Sequence, residues 1–167
     1  RNDTSKSFPW INLGRKMFVL HAVAVLGIMI CLLMVIHSHF FEYKYVWEHT
    51  SKSLPIYYQF SAMWSGQEGS TLLWMFWHGV LGCVLIFKAK NWESPVLSIV
   101  ALAQVLLGSM LLGIYVLGYK FGSSPFALMR DTMEIPVFKM NPDWVPEDGT
   151  GLNPSLQNYW MVIHPPT

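Results

Sequence analysis

Charge is scarce in this sequence. Of 167 residues, 13% are charged, roughly half the share of an ordinary soluble domain. The formal net charge is only +1, and no basic stripe is available to track phosphates, which excludes nucleic acid as an expected partner. Cysteine is also rare. Cys31 and Cys83 are the two present; both lie in apolar runs and are expected to pack as small apolar groups rather than pair. No Cys-x-x-Cys-His occurs, so the chain is not itself a c-type cytochrome. The sequence starts at Arg1 and shows no signal-peptide pattern. The expectation is a chain that begins inside a longer protein.

Apolar and aromatic residues are abundant. Hydrophobic residues make up 53%, including eight Trp, seven Tyr and ten Phe. Residues 17–36 form a nearly unbroken apolar run, interrupted by His21. At the helical rise such a run covers about 30 Å, the hydrocarbon thickness of a bilayer. Residues 72–87 form a second run, brought to spanning length by Ser70 and Thr71. Residues 95–117 form a third, with Gln104 as its strongly polar residue and Pro95 near its start, where a missing N–H costs little.

The expected architecture is an all-α, polytopic membrane protein with three transmembrane helices and an irregular Pro-rich outer-face lobe. Its expected parts are a cytoplasmic lead-in (1–15), spans at 16–39, 70–88 and 94–118, an outer-face loop at 40–69 and an outer-face lobe at 119–167. The short 88–93 connection makes the second and third spans antiparallel neighbours. Arg15, Lys16, Lys88 and Lys90 flank the spans, and the positive-inside rule assigns those flanks to the cytoplasm. Seven of the ten prolines lie beyond Ser124; repeated proline breaks any long helix there. Phe126, Leu128, Met129, Ile135, Val137, Phe138, Trp144, Leu152 and Leu156 are expected to order that lobe.

Two stretches stand out. The first is Trp64-Ser65-Gly66-Gln67-Glu68-Gly69-Ser70-Thr71-Leu72-Leu73-Trp74. Its glycines permit a tight turn into the membrane, Ser70 is a candidate helix cap, and the indoles suit an interface. Read alone, it favours a helix start with an aromatic belt. The sharper alternative is a wall for a flat apolar cofactor or a partner helix. The second stretch is Gly151-Leu152-Asn153-Pro154-Ser155-Leu156-Gln157, leading to Val162-Ile163-His164-Pro165-Pro166. Pro165 holds His164 in extended backbone, and a neutral imidazole there is a candidate ligand for haem iron. A surface turn is the plainer reading of one histidine.

Together, residues 58–74 and the 151–157 and 162–166 motifs resemble the two signatures of the CcmF family of cytochrome c-type biogenesis proteins. Their order matches, as does the pair of spans between them, and the resemblance runs from about Arg15 to the end. It implies a multi-pass protein of the bacterial inner (plasma) membrane that takes haem b from a haem chaperone and helps attach it to apocytochrome c. Haem b would be substrate and candidate bound cofactor. His164 would be the first of two outer-face histidines and the haem-iron ligand, with Trp64, Gly66, Gln67, Glu68, Gly69 and Trp74 shaping the wall beside it. The family's Trp-rich segment, second outer histidine and membrane-embedded histidine pair come later than Thr167. The rest of the same protein or a sibling subunit is therefore an expected partner, and this stretch alone is not expected to complete haem lyase catalysis.

The other histidines read differently. His78 lies in the second span and is expected to pack with a hydrogen bond. His21 is expected to reach the interface, His37 and His39 end the first span without forming a joint metal site, and His49 falls in a polar, exposed loop. Glu42, Glu48 and Glu68 are candidates for salt bridges. Two other functions stay open: a non-catalytic scaffold subunit of a haem or respiratory complex, and a fragment moving haem or another solute. Gln104 and His78 are sparse for a polar pathway, which weighs against transport.

Overall fold

A computed structural model of the chain describes residues 8–163. It is mostly helical. Helix α1 spans Phe8–His37, α4 spans Gln67–Lys88 and α5 spans Glu93–Leu112. All three are long and apolar enough to cross a membrane. Between the first two lie the short helices α2 (Lys44–His49) and α3 (Ile56–Ala62). After α5 come a two-stranded hairpin, β1 (Ile114–Val116) and β2 (Tyr119–Phe121), and then α6 (Met129–Thr132), α7 (Pro136–Met140) and α8 (Tyr159–Ile163).

Helix α4 packs against both α1 and α5. The α1 contact is close because Gly82 has no side chain to obstruct the Phe18 ring, and Gly79 lies beside Ala22. Small residues commonly let membrane helices approach in this way. Gln104, near the middle of α5 and 3% exposed, donates from Nε2 to the Met75 carbonyl of α4 at 2.7 Å. At one end of the bundle Arg15 forms a bidentate pair with Glu93, Nε to Oε1 at 2.5 Å and Nη2 to Oε2 at 2.6 Å. The pair joins α1 to α5, and α1 continues as helix on the far side of Arg15. A fork-to-fork guanidinium–carboxylate contact neutralises both charges where they enter apolar surroundings.

The opposite end carries the rest of the chain. Leu32, Ile36, Phe41, Tyr45, Val46, Met63 and Leu72 form its main buried cluster, continued toward the membrane by Val25 and Met75. The 126–129 segment is clipped to the 42–44 segment: Lys44 N donates to the Ala127 carbonyl at 3.0 Å and Met129 N to the Glu42 carbonyl at 2.9 Å. Met129 is buried there.

Several expectations change. The third span is shorter than 94–118. Gly113 takes a left-handed conformation (φ +68°) and stops α5 after Leu112, as glycine commonly does at helix ends. The β-branched and aromatic residues that follow pair as the hairpin, with Leu117 and Gly118 both at positive φ in its turn, the geometry that matches strand twist. The second span begins at Gln67 rather than at residue 70, with Gly66 at the cap. Ser70 therefore does not cap it; its hydroxyl donates to the Trp64 carbonyl at 2.8 Å. The expected lobe core is smaller too. Of the residues proposed for it, Met129 and Leu152 are buried, while Phe138 and Trp144 meet edge-on at 5.8 Å.

Candidate functional site

The two signature stretches meet in space. Helix α3 carries the start of the first, and α8 packs against it. Leu54 and Ala62 enclose Leu152 in a small buried cluster, with Tyr58 and Leu156 at its edge. The Tyr58 hydroxyl donates to the Gln157 carbonyl at 2.9 Å, and Gln157 Nε2 donates to the Leu152 carbonyl at 2.7 Å. Nearly a hundred residues of sequence separate Tyr58 from Gln157.

The same docking extends to α2. Thr150 N donates to the Trp47 carbonyl at 2.8 Å and Gly151 N to the Thr50 carbonyl at 3.1 Å. The Thr150 hydroxyl donates to the Glu48 carbonyl at 2.8 Å. The Asp148 carboxylate accepts from Lys52 N and from Gly149 N, both at 2.8 Å. The Lys52 N–H bond, ahead of the Gly149 one, holds the Asp148 carboxyl below its usual value. Its stabilisation is therefore present above the ordinary aspartate pKa of about 3.9 and is lost as pH falls through the lower, folded value. Acidification below pH 4 is expected to raise the exchange of the Lys52 and Gly149 amides, corrected for intrinsic rates. An Asp148→Asn variant should show no such pH step; a step that survives in it refutes the assignment to Asp148.

Within the first stretch, residues 63–66 form an elbow between α3 and α4, and residues 67–74 open α4. Tyr45 fills the inside of the elbow. Its hydroxyl donates to the Met63 carbonyl at 2.7 Å and accepts from Gly66 N at 3.2 Å. Burial pushes the Tyr45 phenol well above its usual pKa, so it stays a neutral donor. His49 stacks on Tyr45, with ring centroids 4.4 Å apart, and its Nδ1 donates to the Tyr45 carbonyl at 2.9 Å. A side chain at Gly66 would strike His49 Nε2 and Tyr45 Cε2 at 2.7 Å; one at Gly69 would overlap the Met63 carbonyl and the Tyr45 hydroxyl. Both glycines are thus required by close packing inside the elbow.

The predicted wall residues differ in exposure. Gly69 is buried, Gly66, Glu68 and Trp64 are half-buried, and Gln67 and Trp74 are exposed. Trp74 is 62% exposed on α4. His164 lies outside the described residues. The helix leading to it, α8, ends at Ile163 on the α3 side of the lobe.

The remaining histidines divide. His49 is in α2 and half-buried rather than in an exposed loop, because Tyr45 offers it a flat partner and a carbonyl. His37 Nδ1 donates to Gln59 Oε1 at 3.1 Å, and Gln59, itself buried, donates to the Leu54 carbonyl at 3.2 Å. His21 Nε2 is enclosed without a partner among the described residues, as is His78 Nδ1. Lys44 and Glu48 pair at 3.7 Å. Cys31 and Cys83 are free; Cys31 is exposed on α1 rather than packed inward. Among the described residues no group of three His, Cys, Asp or Glu side chains is placed to hold a metal ion. Sequence reasoning missed Tyr45, Gln59 and Glu93. A signal existed for Glu93, the acidic residue beside the third span at the end where Arg15 flanks the first; none existed for Tyr45.

With three apolar spanning helices and a hydrogen-bonded lobe at one end of them, this is a multi-pass membrane protein. The chain belongs to the CcmF family of cytochrome c-type biogenesis proteins. The cytochrome c-type biogenesis protein CcmF of Haemophilus influenzae is 35% identical over 128 residues, covering 75% of this chain and 17% of the relative. CcmF of Pseudomonas fluorescens is 34% identical over 139 residues, 81% of this chain and 18% of the relative. CcmF of Escherichia coli is 33% identical over 127 residues, again 75% and 17%. The chain thus spans less than a fifth of the length of these curated relatives. No protein-family profile matches it, and no solved structure does.

Proposed function

We propose that this chain serves cytochrome c maturation, as the part of a CcmF-like haem lyase that presents one haem ligand and its supporting elbow. The observation that carries the reading is the docking of the 151–157 segment and α8 onto α3. That contact unites the two stretches that mark the family and anchors the chain immediately before His164. The membrane would be the bacterial inner membrane, with the lobe end facing outward. The net positive flank at Arg15, Lys16, Lys88 and Lys90 supports that orientation.

Haem supplies the vinyl groups that become thioethers to the two thiols of apocytochrome c. The donor chemistry of this stretch suits that cofactor: His164, held before two prolines, offers an imidazole and little backbone freedom. What this chain's own residues do is position. Tyr58, Leu152 and Gln157 hold α8; Tyr45 and His49 hold the elbow from which α4 enters the membrane. The second outer ligand, the aromatic platform and the apocytochrome contact would come from the rest of the protein or from a sibling subunit. A haem chaperone would deliver the haem.

The test is haem content and absorption spectrum of the full-length protein purified with and without His164→Ala. Loss of an iron ligand is expected to lower haem occupancy about tenfold or more and to shift the spectrum, since even outer-shell partners of metal ligands are worth that much. Unchanged occupancy with an unchanged spectrum refutes His164 as a ligand.

A further inference from the structure

The β1–β2 hairpin is apolar and uncovered. Ile114 is opposite Phe121, Tyr115 opposite Lys120 and Val116 opposite Tyr119. Ile114, Tyr119 and Phe121 share one face, and Tyr115 and Lys120 the other, since side chains alternate along a strand. All five are exposed, Tyr115 at 72% and Tyr119 at 74%. The turn is odder still. Leu117 takes φ +52° there, a position where Asn, Asp or Gly is favoured because other side chains are strained. The Leu117 side chain is 94% exposed, so the fold gains almost no burial from it. A large apolar side chain held at a strained, exposed turn points to a use outside the described fold.

The place of the hairpin says what that use is. Gly113 follows α5 directly. Gly122, on the far side of the hairpin, lies so close to α5 that a side chain there would overlap the Met110 carbonyl. Both strands therefore start at the last turn of a membrane-spanning helix. Three residues per strand carry the tip only about 10 Å from that turn, whichever way the hairpin leans. The headgroup layer is itself roughly 5–8 Å deep. Ile114 also lines the same apolar surface as Gly108, Ser109 and Leu112 of α5, so the apolar surface of the span runs on into β1. Between Glu93 and Arg130 the sole charged residue is Lys120, which has no ion pair among the described residues. No carboxylate is present there to repel phosphate. Tyrosines beside a lysine are side chains that favour the membrane–water boundary.

We propose that the hairpin is a non-spanning membrane contact whose partner is the phospholipid surface of the leaflet at which α5 ends. It lies in the headgroup layer, with Leu117 toward the acyl chains and Lys120 toward lipid phosphate. The lobe that follows is thereby tied to the leaflet at its start, in addition to its clip on the 42–44 segment. The inference stands independently of the haem reading, since neither His164 nor the elbow enters it.

The experiment uses the full-length protein in vesicles of phosphatidylcholine and phosphatidylglycerol. Its native cysteines, Cys31 and Cys83 included, are replaced by serine. One spin label is attached at Tyr119→Cys, or at Met140→Cys on the exposed surface of α7. Relaxation of the label by oxygen, which concentrates in lipid, is compared with relaxation by a water-soluble nickel chelate. The label at Tyr119→Cys is expected to favour oxygen, and that at Met140→Cys the nickel chelate. Adding Leu117→Asn should lower the oxygen-to-nickel ratio at Tyr119→Cys about twofold or more, through loss of the apolar tip. A hairpin with only a structural role would instead be tightened by Asn, the better turn residue. Nickel dominating at Tyr119→Cys would place the hairpin in water and overturn the proposal. So would shielding from both reagents, which would mean that protein covers the hairpin. Absence of contrast between the two sites, or a ratio unmoved by Leu117→Asn, would overturn it as well.

Discussion

Replacing Gly69 with alanine lowers the stability of the protein by about 3 kcal/mol or more, at or beyond the usual range for overpacking a tight interior. The added methyl group meets the Met63 carbonyl and the Tyr45 hydroxyl. A flexible side chain could swing away, but Met63 O is backbone at the end of α3, so the α3–α4 elbow itself must open. Opening it separates Tyr45 from Met63 and Gly66, the contacts that close the junction. The measurement is the thermal unfolding midpoint of the purified protein in detergent, with Gly27→Ala as control. Gly27 lies within α1 with nothing within 4 Å of an added Cβ, so alanine there should be neutral or stabilising by up to about 1 kcal/mol. Equal midpoints for the two variants would show that the elbow is looser than these contacts require.

Tyr45→Phe tests the same junction without adding volume. It removes the hydroxyl that donates to the Met63 carbonyl and accepts from Gly66 N. Buried polar groups left without partners cost about 1–3 kcal/mol, so the unfolding midpoint falls, by less than for Gly69→Ala. Exchange of the Gly66 amide should rise at the same time, which a simple loss of packing elsewhere would not produce. An unchanged midpoint together with an unchanged Gly66 amide would remove the hydroxyl from the account of the elbow.

Much of the membrane architecture is legible in the sequence. The lengths of the apolar runs give three spans, because an unbroken run of about 20 residues is what a bilayer requires. Element ends were less legible. The 95–117 run stays apolar through the hairpin, so hydropathy could not register that Gly113 turns left-handed and that Ile114–Val116 pairs as strand. In the same way Gln67 and Glu68 look like loop residues by polarity, yet they open α4 because Gly66 supplies the cap and Ser70 N bonds to its carbonyl at 3.0 Å.

The candidate site was legible as two motifs and illegible as a place. Glycines at 66 and 69 invited a reading as a surface for a cofactor, whereas their space is taken by Tyr45, His49 and Met63. Nothing in the sequence near Tyr45 marks it as the partner of a turn some twenty residues away. Such a contact depends on how α2 folds back, which is a tertiary event with no local periodicity to announce it.

Composition and run length alone determined that this chain crosses a membrane three times, and the order of its two signatures pointed to its family. Those properties follow from local chemistry: apolar length, helix-breaking residues and motif spacing act on their own stretch of chain. Only the tertiary structure decided that α4 stands between α1 and α5, that Arg15 meets Glu93, and that the 151–157 segment docks on α3. Each of these joins groups far apart in sequence whose pairing satisfies a charge, a backbone carbonyl or an apolar face that local structure leaves exposed. For the same reason the burial of Gln104 against α4 is a property of the packed bundle and not of the α5 sequence.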